Sequence, residues 1–93
     1  RVSDRVLSLI IMKEIYKDEN IAKVYGFTGE RLTFNYRRYF KFTNKNSGLD
    51  LQVKVKYKNL EYEKVTAQRI FEKLKELVFC QFNLSIDSIE FLK

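Results

Sequence analysis

The sequence contains no histidine, no tryptophan, no proline and one cysteine, Cys80. Imidazole is the side chain that ordinarily titrates near neutrality, so its absence removes a Ser-His-Asp triad, a Cys-His pair, a His general base and every His-ligated metal. One thiol closes no internal disulfide and builds no structural zinc site. A reducing, intracellular compartment, cytoplasmic or nuclear, is therefore expected. Glycine is scarce, with three in 93 residues, and none forms a phosphate-cradling loop or a nucleophile elbow. The longest strongly apolar run, Val6 to Met12, is too short to cross a bilayer, and no small-residue cleavage pattern follows it. These absences predict a non-enzymatic domain with no cofactor, no metal and no membrane partner. The chain begins with Arg1 rather than Met, which points to a domain cut from a longer protein.

What is present suits a single globular unit, residues 1–93: 45% apolar, 32% charged and 15% aromatic residues, a composition that excludes a disordered tail. The net charge of +6 is unevenly placed. Residues 1–30 carry five basic and five acidic side chains, residues 31–58 eight against one, and residues 59–93 five against six. A surplus confined to one segment is a candidate electrostatic footprint, whereas an even spread reports only on solubility.

Ser3 and Asp4 mark a helix start, by N-cap preference and by dipole, and the helix is expected to run to about Asp18. Residues 21–25 suit a short strand before Gly26 and Gly29. From Leu32 to Phe42 the pattern has period two, with Leu32, Phe34, Tyr36, Phe40 and Phe42 on one face. After the polar loop 43–48 the alternation resumes as Leu49, Leu51, Val53, Val55 and Tyr57, which predicts an antiparallel hairpin. A third short strand through Leu60 and Tyr62, a helix from an N-cap at Thr66 to about Phe79 ended by Asn83, and a strand over 84–92 complete the chain. In that last strand the apolar positions Ile86 and Ile89 break strict alternation. The expected fold is α+β, a small two-layer sandwich of an antiparallel sheet and two helices, in the order α-(β)-β-β-(β)-α-β.

The outward face of the hairpin carries the main functional expectation. If Phe42 pairs with Leu49, Arg37 lies beside Lys54, Asn35 beside Lys56, Tyr39 beside Gln52 and Lys41 beside Asp50. Like charges set opposite each other destabilise a sheet, so their accumulation points to an anionic partner. Lys and Arg meet phosphates while a planar ring stacks on an exposed base. Arg37, Arg38, Tyr39, Lys41, Lys54, Lys56 and Lys58 are accordingly the candidate contacts for nucleic acid, RNA or DNA, or for another polyanion. The blander account is a solvated strand whose lysines discourage edge pairing. Arg38 falls in an inward slot, which calls either for a bulge that turns it toward a ligand or for a guanidinium that snorkels to water.

The alternative function is protein–protein assembly. Val6 to Met12 is apolar around most of the helix, and a helix on one sheet hides about half its circumference. Leu7, Ile11 and Met12, joined by Phe79 about 140° from the centre of its own helix's apolar stripe, are the candidate interface to a partner or a second copy. Cys80, about 120° from that centre, is expected to be a half-buried, inert thiol.

Three partial resemblances accompany this reading. The order of elements resembles the core of restriction-type nucleases of the Asp...Glu-x-Lys class, which implies metal-binding carboxylates; Asp50 takes the place of the Asp, but Glu63 and Lys64 are adjacent, and adjacent strand residues face opposite ways. The order helix, three strands, helix resembles the double-stranded-RNA-binding domain, with Thr66-Ala67-Gln68-Arg69 where that family has a Lys-rich start to its last helix. Residues 40–86 resemble a hairpin-and-helix piece of the heat-shock chaperone ATPase lobe, without its phosphate-binding glycines. Glu61 and Glu63 could share one strand face, the minimum for paired acid–base work.

Overall fold

The Ser3 hydroxyl accepts a hydrogen bond from the Val6 amide at 3.2 Å and so caps helix α1, Asp4–Tyr16, with Asp4 in the first turn. The computed structural model describes residues 3–93; Arg1, on which the expectation of a longer parent chain rests, and Val2 lie outside the described residues. Leu7, Ile11, Met12 and Ile15 turn inward from α1, and the buried Ser8 hydroxyl is satisfied by donating to the Asp4 carbonyl at 2.7 Å.

The sheet is organised around β3, Leu49–Tyr57. Against one of its edges lie two short strands end to end, β1 (Ile21–Val24) and β2 (Phe40–Asn44), both antiparallel to it. One residue shows that they share the edge. The Tyr25 amide donates to the Lys54 carbonyl and the Lys54 amide donates to the Tyr39 carbonyl, each at 3.0 Å. Within a strand, the N–H and C=O of one residue point the same way. Residues 25–39 are therefore an excursion from what is otherwise one strand, pinched together at Lys54. Within it Gly26 adopts φ 87°, a left-handed conformation that glycine takes without steric cost. Phe27, Leu32 and Tyr36 of the excursion fold back into the core.

Helix α2, Glu63–Phe82, carries the chain from β3 to β4, Ile86–Leu92, on the opposite edge. That crossover sets β4 parallel to β3. The two-layer α+β architecture is as the periodicities indicate, with the sheet mixed at this last strand. Odd-numbered Leu49, Leu51, Val53 and Val55 are buried with Ile70, Leu74 and Val78 of α2 and the inner face of α1. The even-numbered residues of β3 face outward. Asn83 ends α2 in the left-handed region at φ 56°, a conformation Asn tolerates better than most residues.

Several expectations are corrected. Residues 32–39 are not strand: they turn through a 3-10 helix, Tyr36–Arg38, and the strand begins at Phe40. A strand over 32–42 would have aimed Arg38 into the core, a costly place for an unpaired guanidinium, whereas β1 brings the β-branched Ile21 and Val24 to the same inner face. Arg38 is exposed on the 3-10 turn, so neither a bulge nor a snorkelling slot applies. The hairpin register differs by two residues, Phe42 facing Leu51 and Lys41 facing Gln52. The segment Leu60–Tyr62 is a second 3-10 turn rather than a strand, with Asn59 accepting from the Glu61 amide at 3.0 Å. Helix α2 consequently begins at Glu63, and Thr66 lies fully buried inside it instead of capping it. The broken alternation at Ile86 and Ile89 is a bulge that leaves Asp87 unpaired, between Leu49↔Ile86 and Asp50↔Ser88.

Candidate nucleic-acid interface

The outer face of the sheet is polarised along its strands. At the end nearest the β2–β3 turn, acidic groups are matched. Lys45 Nζ lies 2.9 Å from Asp50 and 3.7 Å from Asp87, Ser88 donates to Asp50 at 2.7 Å, and Ser47 donates to Asp87. The hydrogen bond from Lys45, then that from Ser88, holds the Asp50 carboxyl below its usual range, and the same contact raises the Lys45 ammonium. Farther along, Gln52 donates to Glu90 at 2.9 Å.

From the Lys41–Gln52 pair onward the face is basic. Lys41 of β2 and Lys54 and Lys56 of β3 project from it, and Lys58 follows just past the strand end. Lys56 faces Lys23 of β1 across the ladder, a like-charge pair that costs the sheet stability. Among the described residues, none of Lys23, Lys41, Lys54, Lys56 and Lys58 forms a salt bridge.

Two aromatic rings stand in this basic region because the pinch at Lys54 sets their backbones side by side. Tyr25 and Tyr39 have ring centroids 5.6 Å apart, inclined at 48°. Lys23 Nζ lies 4.5 Å and Lys54 Nζ 5.1 Å from the Tyr25 centroid, within reach of the ring quadrupole. Lys54 Nζ also donates to the Lys93 carbonyl at 2.8 Å. Beside the rings, β1, the excursion and Tyr16 of α1 line a groove of about 460 Å³, to which Lys23, Tyr25, Thr28, Thr33, Asn35 and Tyr39 contribute.

The structure thus brings together Tyr39, Lys41, Lys54 and Lys56, with Lys58 at the border. Arg37 and Arg38 leave the hairpin with the 3-10 turn. Arg37 lies 5.5 Å from the Tyr36 ring and, with Asp4, Ser8 and Lys41, borders a separate depression near the start of α1. Lys23 and Tyr25 belong to the site but not to the candidates chosen from sequence. The signal was present: in a strand whose Val24 points inward, Lys23 and Tyr25 must point outward.

The candidate protein interface is not assembled. Leu7, Ile11 and Met12 are 4%, 0% and 0% exposed, because the sheet and α2 together cover the helix where a sheet alone would not. Phe79 is exposed, as its rotation about the helix predicts, and Cys80 is exposed rather than half-buried. The nuclease arrangement is not assembled either. Asp50 is near the start of β3 and Glu63 lies past the strand's other end, and Glu61 and Glu63 sit on a 3-10 turn and a helix start, Glu63 paired with Lys93 at 2.8 Å. Among the described residues, no three His, Cys, Asp or Glu side chains are grouped to hold a metal ion, and no helix is long and apolar enough to cross a membrane.

No family model, characterised protein or solved structure matches the chain.

Proposed function

We propose that this chain is a non-enzymatic binding module that holds nucleic acid, RNA or DNA, on the outer face of its sheet, in a reducing intracellular compartment. The observation that supports this reading is the cluster of Lys23, Lys41, Lys54, Lys56 and Lys58, none of them paired with an acidic side chain among the described residues, beside a sheet end where every acid has a partner. A fold that sets Lys23 against Lys56 loses stability, and an incoming row of phosphates would turn that repulsion into attraction.

Counterions released from the nucleic acid would supply most of the free energy, with about 0.7 to 0.9 of a unit of log–log salt slope per phosphate neutralised. Four engaged lysines give a slope of roughly −3. Fluorescence anisotropy with labelled oligonucleotides at low salt should show binding with that slope, and K54A/K56A should lower affinity alike for every sequence, since phosphate contacts carry no base information. Absence of binding to single- and double-stranded DNA and RNA would overturn the proposal. Divalent-metal-dependent cleavage abolished by Asp50→Ala would overturn its non-enzymatic part.

A further inference from the structure

We infer that the site takes single-stranded rather than duplex nucleic acid, with one unstacked base on the Tyr39 ring and its edge turned into the groove that the excursion lines. This rests on the binding reading above and adds the class of ligand.

The inference starts from the different states of the two rings. Tyr25 is occupied, with two ammonium groups within 5.1 Å of its centroid. Among the described residues, no cation lies over Tyr39. Tyr39 is half-buried, packs against Tyr25 and, with it, lines the groove. It is therefore a fixed ring with space beside it, which is what a base needs in order to stack. Tyr25 has a different task, holding Lys23 and Lys54 near that ring, where the phosphates flanking a stacked base would lie.

The groove supplies polar groups for the base edge. The one Thr33 hydroxyl proton has two acceptors in reach, Asn35 Oδ1 at 2.7 Å and the Gly26 carbonyl at 3.3 Å, and the shorter contact ties the asparagine side chain to the threonine. Asn35 lines the same groove as Tyr39, and its side-chain amide is the kind of group that hydrogen-bonds a base edge. A duplex cannot use this arrangement, because its bases are stacked on one another and only edges and phosphates are presented. A single strand offers a free π-face, and recognition of such strands combines a basic track with aromatic stacking.

The test compares one labelled oligonucleotide of about a dozen nucleotides, its duplex, and a strand of the same length made of abasic sites, by anisotropy at low salt. The expected order is single strand tightest, by about tenfold over both others, with Tyr39→Leu removing about tenfold of the single-strand affinity and Tyr39→Phe retaining it. Circular dichroism of both variants would show that each is folded, and the abasic strand tests the stack without altering the protein. Equal affinity for the intact and abasic strands, or duplex binding as tight as the single strand, would overturn the inference while leaving the polyanion reading in place. No binding of any of the three would overturn both.

Discussion

Replacing Asp18 by alanine removes the acceptor at the centre of the most buried polar cluster in the fold. The Asp18 side chain is 3% exposed and accepts from Arg69 Nε and Nη2, both at 2.8 Å, and from the Asn20 amide at 3.0 Å. Asn20 extends the cluster, donating from Nδ2 to the Asn59 carbonyl at 3.0 Å and to Thr66 Oγ1 at 2.9 Å and accepting from the Asn59 amide at 2.8 Å. The turn after α1, the connection after β3 and the body of α2 are thereby joined at one point. Breaking a buried ion pair from one side costs about 3–5 kcal/mol when the surviving charge stays buried. Here the Arg69 side chain keeps 33% exposure and can turn to water, which leaves roughly 2 kcal/mol for Asp18→Ala, about half of it from the stranded Asn20 amide. With a urea dependence of about 1 kcal/mol per molar for a small domain, the unfolding midpoint should fall by about 2 M.

The acid limb gives an independent reading. Hydrogen bonding from Arg69, which outweighs burial, holds the Asp18 carboxyl below its ordinary value. Its stabilisation is complete above the unfolded carboxyl pKa of about 3.9 and is lost as pH falls below that toward the lower folded value. Asp18→Asn, nearly isosteric but uncharged, should therefore lose less stability than the parent over this acid range. A midpoint shift below about 0.3 M for Asp18→Ala, or acid limbs of equal steepness, would refute the argument.

Three further outcomes are expected. Phe34 is 97% exposed, so Phe34→Ser should leave unfolding free energy within about 0.5 kcal/mol of the parent, while a large loss would restore the strand over 32–42. An alanine at Gly26 would have to adopt φ 87° with its Cβ 3.0 Å from the Tyr36 Cα; the cost of about 1–2 kcal/mol should lower Tm by roughly 5–15 °C. Lys45→Ala should return the Asp50 carboxyl toward its ordinary pKa in an NMR titration, and an unmoved value would show that the pair does not form in solution.

Periodicity made legible whatever depended on which side of an element is apolar. Helix α1 with its Ser3 cap, the stripe of α2 and the inner rows of β2 and β3 all follow from it. The expected hairpin register differs from the observed one by two residues, yet it sets Lys41, Lys54 and Lys56 on the correct face, because a shift by two preserves the alternation that a shift by one would invert. What failed depended on competition between segments. The alternation of Leu32, Phe34 and Tyr36 is also met by a turn that buries the outer two and exposes the middle one, and only the superior packing of Ile21 and Val24 on β3 decides between them. The parallel setting of β4 comes from the crossover through α2 and leaves no mark on the strand's own residues. The outward placement of Tyr25 is legible in the sequence, but its meeting with Tyr39 is not, because thirteen residues intervene before the chain returns to Lys54, a closure visible only in three dimensions.

The excursion from 25 to 39 contributes Leu32 and Tyr36 to the hydrophobic interior, Thr28, Thr33, Asn35 and Tyr39 to the groove, and Phe27 to both. Residues of the two sets alternate along one short stretch, so the domain cannot relax this segment to admit a ligand without also loosening its own interior. Occupancy and foldedness are then coupled through the same dozen or so residues: whatever settles in the groove acts as a clamp on the whole domain and raises its melting temperature with concentration. Drift in this stretch is constrained from both sides, since a substitution that improves contact with a ligand is tolerated only if the interior beneath it still closes.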